Sequence, residues 1–273
     1  MDVLVTGASG TVGTALIKHL EGRSGDEFTC LDKEEHADHD IVVADAADYD
    51  AIRPAFDGRD AVVHLAAYPY TDGTWEQLLE ENIITTNNVL EAAADAGVES
   101  VVFGSTHHVV GMFEVENAPE LYFGDVDLTI DHTAPRRPDS VYGATKGFNE
   151  DMGRFYVENR DAPERFYVIR MNAIRDPTYD HPYGDAEAGV DRDDFERDSD
   201  AYEEKVARLK CVWQSRRDCA HLIDRCLQDD TVDFDVFYGV SDNDRRFCDI
   251  SHAREVVGYD PQDNAEEWDA PPE

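Results

Sequence analysis

Short apolar runs recur along the chain, and most are followed by a stretch with helical spacing. Val3-Leu4-Val5 predicts a buried strand, and Ala15, Leu16, Ile17 and Leu20 then recur on one helical face. Glu27 to Leu31 predicts a second strand ending at Asp32, Ile41 to Ala44 a third followed by Asp45, and Ala61 to Ala67 a fourth. Asp48 to Phe56 predicts a short helix. Trp75 to Ala96 predicts a long one, with Leu78, Ile83, Val89 and Leu90 on its apolar side and Gly97 at its end. Val101 to Phe103 is a fifth strand, Asp139 to Asn159 a helix and Phe166 to Ile169 a sixth strand. Asp218 to Leu227 then predicts a helix, Phe234 to Val240 a strand and Ile250 to Val257 a final helix.

Several of these strands are apolar throughout and alternate with helices. That pattern predicts a Rossmann-type, doubly wound parallel α/β sheet covered on both faces, with a small C-terminal substrate-binding lobe. Residues 1–170 form the cofactor-binding core including the helix of Tyr142, and 171–273 are mostly the C-terminal portion of one integrated domain. Residues 112 to 138 read as a loop-rich connection. Residues 176–204 are acidic and poor in aliphatics, and read as a mobile excursion that is either a lid over the site or a solvated loop.

In such sheets ligands lie at the C-terminal ends of the strands. Gly7, Asp32, Asp45, Ala66 and Thr106 all fall at such ends. The first strand runs into Gly7-Ala8-Ser9-Gly10-Thr11-Val12-Gly13, a G-x-x-G-x-x-G turn that opens a helix. Backbone amides there can approach a pyrophosphate, and the helix start adds positive partial charge. A glycine turn can also serve plain packing. Gly7, Ser9, Gly10, Thr11, Val12 and Gly13 are therefore candidates for dinucleotide binding, and Asp32 is placed to hold an adenosine ribose. A carboxylate there repels a 2′-phosphate and favours NAD, while Lys33 leaves room for NADP. Asp45 and Ala46 can meet the adenine, and Leu65, Ala66 and Ala67 let a cofactor pass close by. His64 reads as a packed core histidine.

Tyr142 and Lys146 are four apart on one predicted helix and share a face. A phenol holds its proton to pH ~10, and a nearby ammonium lowers that value. Tyr142 can then take a proton from a substrate hydroxyl as hydride leaves the carbon, Lys146 can also hold the nicotinamide ribose, and Thr106 offers a hydroxyl to the same oxygen.

Charge changes the picture of the surroundings. Lys and Arg number 24 against 61 Asp and Glu, a formal charge of −37. With 41% hydrophobic residues and regular periodicity, this reads as a folded protein of a high-salt cytoplasm rather than acidic disorder. It excludes nucleic acid and anionic membranes as partners, since both need basic patches. No apolar run is long enough to span a membrane, and the chain enters a strand at residue 2 without a basic leader, so a cytoplasmic location is expected. Cys30, Cys211, Cys219, Cys226 and Cys248 have no C-x-x-C spacing and read as buried, reduced thiols. His36 and His39 lie among acids without a third spaced ligand, so no metal is expected.

These residues together resemble the extended short-chain dehydrogenase/reductase superfamily over essentially the whole chain. Within it the likeness is to uronate dehydrogenases and haloarchaeal NAD-dependent glucose-6-phosphate and aldose dehydrogenases. Ser105-Thr106-His107-His108-Val109-Val110-Gly111 is similar to their S-S-N-H-x-x-G, and Trp213-Gln214-Ser215-Arg216-Arg217-Asp218 to their W-L-S-x-x-D. The stretches Tyr238 to Arg246 and Gly258 to Asp263 match the family closely. The resemblance implies catalytic roles for Thr106, Tyr142 and Lys146, and a cofactor-side role for Asn82 in supporting the proton relay. It places His107 where the family has a substrate-facing Asn, and Arg208 where an Arg grips a uronate carboxylate. His108 is expected to bond a sugar hydroxyl, and Arg136, Arg137 and Arg175 could serve a phosphate. The implied reaction is oxidation at C1 of a cyclic aldose to a lactone, with hexuronate, glucose 6-phosphate and a pentose such as arabinose all open. The helices from Trp75 and Asp139 resemble those that form a four-helix bundle in this superfamily, so a homo-oligomer, dimer or tetramer, is expected. A nucleotide-sugar epimerase or dehydratase, and a catalytically silent dinucleotide-binding regulator, are the alternatives.

Overall fold

The computed structural model describes residues 1–21, 27–36 and 40–272. The chain begins with β1 (Asp2–Thr6), α1 (Thr11–Leu20), β2 (Glu27–Asp32), β3 (Ile41–Val43), α2 (Tyr49–Ile52) and β4 (Ala61–His64). A helical stretch follows as α3 (Trp75–Leu78), one π turn (Leu79–Ile84) and α4 (Thr85–Ala96). After β5 (Ser100–Thr106) come two short helices, α5 (Met112–Asn117) and α6 (Glu120–Phe123), then α7 (Val141–Asn159) and β6 (Arg165–Met171). The remainder is α8 (Gly184–Asp191), α9 (Asp200–Val212), α10 (Arg216–Gln228), β7 (Phe234–Gly239) and α11 (Ser251–Val256).

The strands form one sheet in the order β3-β2-β1-β4-β5-β6-β7, and every pairing is parallel. Connections change direction beside β1, which leaves a crevice at the C-terminal ends of β1 and β4. Alternate residues of each strand serve opposite faces. Val3 and Val5 pack with Leu16, Leu20, Leu222 and Ile223 of α1 and α10, whereas Leu4 packs with Val89 and Leu90 of α4 and Tyr156 of α7. β7 and α10 come from the last hundred residues and complete the sheet and core that the first half begins.

Several elements depart from the expected bounds for identifiable reasons. β5 and β6 run on to Thr106 and Met171, past the end of their apolar runs. Ser105 and Arg170 interrupt the apolar pattern, but both are buried and bonded to Glu150 of α7. β4 ends at His64 rather than Ala67, and His64 is a packed core histidine between the hydroxyls of Thr6 and Thr86. The long helix starts as expected, with Thr74 and Gln77 forming a reciprocal cap, and Gly97 closes it at φ +71°. Its middle contains the π turn, which the periodicity did not predict.

The largest difference is 176–204. It is not an open excursion. α8 and the start of α9 are packed helices, with Ala186 fully buried and Glu187 bonded to Arg197 and Tyr202. Much of the buried face of α8 is small, with Gly184, Ala186 and Gly189 beside Glu187, and Phe195 lies where a Cβ on Gly189 would stand. Such a face gives little hydrophobic periodicity to read.

Among the described residues, no helix is long and apolar enough to cross a membrane. The five cysteines are free and buried. Among the described residues, buried acids are few, namely Glu114, Glu150, Glu187, Asp218 and Asp224. Most of the negative charge is therefore at the surface, where counter-ions set its cost. Lowering KCl from 1 M to 0.1 M stretches the screening length from about 3 to about 10 Å. The melting temperature should fall by several degrees over that change, and a flat profile in a thermal melt would contradict charge repulsion as the limiting factor.

Candidate active site

The ends of β1, β2, β4 and β5 open into one cleft of about 870 Å³, within the range of small-molecule sites. At its floor the chain turns from β1 into α1. Gly7 has φ +71°, and a Cβ there would lie 2.6 Å from the Ala66 nitrogen; at Gly13 it would lie 2.4 Å from the Gly7 carbonyl oxygen. The glycines let the turn lie flat against the start of the β4 loop and against α1. No side chain caps the α1 N-terminus, so its first amides have no partner within the helix or from a cap. A cradle of this kind fits the pyrophosphate of a dinucleotide. Asp32 is fixed at the neighbouring strand end, accepting from Ser9 N at 2.9 Å and Lys33 N at 2.7 Å.

Further along the cleft, Tyr142 and Lys146 emerge from α7 and Thr106 from the end of β5. Ser140 caps α7 by accepting from Gly143 N at 3.1 Å. Burial pushes the Tyr142 phenol up to about 12, against a hydrogen bond with Thr106 that lowers it. Burial also pushes Lys146 down to about 7, opposed by Glu150. The expected lowering of the phenol by Lys146 is not seen. The Lys146 ammonium instead donates to the Gly104 carbonyl at 2.8 Å and lies over the Phe103 ring.

The other end of the cleft holds His107, His108 and Arg208. His108 Nδ1 lies 2.7 Å from Asp139 Oδ2. Burial works against the charged form of Asp139, but His108 and the Ser140 hydroxyl bring its pKa below the usual value. His107 Nδ1 faces the Met171 carbonyl at 3.4 Å. Its Nε2 is 3.3 Å from Glu114 Oε2 but outside hydrogen-bonding geometry. Arg208 does not stand ready for a substrate carboxylate, because its Nε donates to Glu114 Oε1 at 2.7 Å.

A model of the NAD dependent epimerase/dehydratase family matches residues 3–169. The chain belongs to this family. It is 35% identical to an NAD-dependent glucose-6-phosphate dehydrogenase of Haloferax volcanii, over 97% of this chain and 95% of that one. An L-arabinose 1-dehydrogenase (NAD(P)(+)) of the same organism is 32% identical over 96% of this chain and 97% of its own. A solved uronate dehydrogenase mutant from Agrobacterium tumefaciens, complexed with NAD, superposes with a TM-score of 0.75 at 25% identity, covering all of this chain and 91% of that one.

In this member of the epimerase/dehydratase family, nearly every residue singled out in the sequence lines the one cleft. That holds for Gly7, Ser9, Gly10, Thr11, Val12 and Gly13, for Asp32, Lys33, Asp45 and Ala46, for Leu65, Ala66 and Ala67, and for the catalytic and substrate-side candidates. Asn82 is one exception and corrects the expectation placed on it. It is fully buried within the π turn and does not line the cleft. Its Oδ1 accepts from Tyr68 N at 2.8 Å and its Nδ2 donates to Thr145 Oγ1 at 3.2 Å. Its amide therefore ties the loop after β4 to α7. Arg136 and Arg137 are not in the cleft either; they pair with Asp151 and Glu116. Arg175 is in the cleft but paired with Asp185. His39 lies outside the described residues, and among those described no cluster of side chains is placed to hold a metal.

The sequence reading missed Asp176, whose carboxylate accepts from the Thr11 hydroxyl, and Glu114 behind Arg208. Thr11 and Asp176 are 165 positions apart, so no local signal joins them.

Tyr142→Phe keeps the buried ring and removes its proton acceptor. NADH production should fall by about a hundredfold or more, while NAD affinity, read by titration of the protein, should change little. Near-normal turnover in that variant would remove Tyr142 from the proton transfer.

Proposed function

We propose that the protein oxidises C1 of a cyclic aldose or aldose derivative, with NAD as the hydride acceptor and a lactone as product. The reading is carried by one observation: an uncapped glycine turn, Asp32 and the Thr106–Tyr142–Lys146 set share a single cleft. Relatives that span almost the whole chain bear the names of glucose-6-phosphate, arabinose and uronate dehydrogenases.

NAD, when bound, supplies the acceptor for the departing hydride and a positive charge in the cleft. The chain does the rest. The turn from Gly7 to Gly13 holds the pyrophosphate, and Asp32 the adenosine ribose. Glu34 and Glu81 line the same end, and Lys33 is drawn to Glu81 at 3.3 Å. This surplus of carboxylates opposes a 2′-phosphate and favours NAD over NADP. Thr106 and Tyr142 hold the sugar's C1 oxygen. Tyr142 would act as its phenolate, which the positive charge of bound NAD favours against burial, and take that oxygen's proton as the C1–H bond breaks; Lys146 would hold the nicotinamide ribose. Asn82, through Thr145, and Glu150, beneath Lys146, act as positioning residues.

The molecule also carries an apolar stripe that supports a homo-oligomer. Val141, Phe148 and Phe155 of α7 recur at seven-residue spacing and are 50%, 46% and 46% exposed. Trp75 and Ile84 are exposed on the helix packed beside it. A second copy can cover this surface through the same patch, as a two-fold dimer does. The acidic surface supports a location in a cytoplasm of high salt.

Two measurements follow. Incubated with NAD in molar KCl, the protein should form NADH and a lactone with at least one member of a panel of aldoses, hexuronates and sugar phosphates. An isomerised sugar without net NADH would mark an epimerase, and cofactor binding without any turnover a silent regulator. Phe148→Glu combined with Phe155→Glu should shift the particle to the monomer mass in light scattering while leaving the melting profile cooperative. An unchanged mass would locate the oligomer contact elsewhere.

A further inference from the structure

The sugar end of the cleft is built so that its cations are cancelled. Among the described residues lining the cleft, the basic side chains are Lys33, Lys146, Arg175 and Arg208. Lys33 belongs to the adenosine end and faces Glu81. The Lys146 ammonium donates a hydrogen bond to the Gly104 carbonyl and has Glu150 as its counter-charge. Arg175 is gripped by both oxygens of Asp185. That leaves Arg208, and its guanidinium is held by Glu114.

Glu114 does not line the cleft. It comes from α5, is 5% exposed, and lies behind Arg208. Besides Arg208 it accepts from the Tyr122 hydroxyl at 2.8 Å and has His107 Nε2 at 3.3 Å. Burial disfavours its charged form, but His107 and Arg208 hold its carboxyl well below the usual carboxylate range. Burial likewise disfavours the Arg208 charge, and Glu114 more than restores it. Burial lowers the His107 pKa, against its contact with Glu114. Arg208 and Glu114 thus form an ion pair whose two charges cancel.

A substrate carboxylate or phosphate would find no surplus positive charge here. It would also bring its own charge close to Glu114 and Asp185 inside a site of reduced dielectric. Sugar hydroxyls meet a better match. Arg208 has five N–H donors, of which Glu114 engages two, the one on Nε and one of the pair on Nη2. The remaining donors, with the ring of His108 held from behind by Asp139, can bond uncharged oxygens.

We propose that Glu114 is a specificity-determining residue that selects uncharged aldoses, because it cancels the Arg208 charge that an acidic or phosphorylated sugar would need. The proposal rests on the reading of the protein as a sugar dehydrogenase. It differs from that reading in what would overturn it.

The test uses the full chain in molar KCl with NAD and matched sugars: glucose against glucuronate and glucose 6-phosphate, galactose against galacturonate, and arabinose. In the wild type, kcat/KM for the best neutral sugar should exceed that for every anionic one by about tenfold or more. Glu114→Gln keeps the side-chain shape and removes the charge. It should shift the anionic-to-neutral ratio of kcat/KM upward by about tenfold, mainly through KM, whereas Glu114→Asp should retain the neutral preference. A wild type that prefers a uronate or a phosphate overturns the proposal and leaves the dehydrogenase reading standing. So does a folded Glu114→Gln protein with an unchanged ratio. Should that variant fail to fold, the wild-type comparison decides alone. Absence of NADH with every sugar overturns the dehydrogenase reading, and this proposal with it.

Discussion

Lys146 is 3% exposed, and its ammonium faces a backbone carbonyl and an aromatic ring. A cation in such a place is costly unless other groups offset it. Glu150, one helical turn further along α7, does so from below. Its carboxylate also binds Arg170 of β6 on both oxygens and accepts from Ser105 of β5. A slip of either strand by one residue would turn these polar groups to the wrong face of the sheet. Glu150, the counter-charge of the buried cation, thus locks two central strands and α7 into one register, and Thr106 and Tyr142 follow from that register. Asn82 does the same from the other side, through Thr145 and through its backbone carbonyl, which accepts from Asn149 at 3.0 Å.

Much of the cleft was legible because it is written in local features. A glycine turn after an apolar run, an acid at a strand end and a Tyr–Lys pair at helical spacing are each contained in a few residues. Their convergence follows from parallel strands, whose ends all point one way. Gly7, Asp32, Ala66, Thr106 and Tyr142 line the cleft for that reason. The partners of the charged groups were not legible. In a chain with 61 acidic residues, the one carboxylate that meets Arg208 or Arg175 has no distinguishing mark. Glu114 and Arg208 are 94 positions apart, and only the fold brings them together. Asn82 misled for the opposite reason: its position matched, but the π turn directs its amide into the core rather than the cleft.

The acidic composition has two separate physical meanings. On the surface the carboxylates face solvent and salt, and their repulsion is a matter of screening. Inside, Glu114, Glu150 and Glu187 each meet at least one arginine. Asp218 instead accepts from the Ser241 hydroxyl and from the amides of Gln262 and Asp263, so buried charge is matched by hydrogen bonds where no arginine is present. Segment 176–204 shows how the two mix. Its outward acids gave it the composition of a loop, while a thin face of small residues packs it as helices.

Arg216, at the start of α10, donates to the Thr11 carbonyl at 2.6 Å and to the Thr14 hydroxyl at 3.0 Å, fastening the late part of the chain to the first helix. The early and late parts of the chain are therefore interlocked in one unit. A chimera that joined this N-terminal half to the C-terminal half of a relative would break the clasp, the seventh strand and the α1–α10 contact together. Glu114, by contrast, sits on α5, a six-residue helix outside the sheet, so a replacement there leaves the clasp and the strand order untouched.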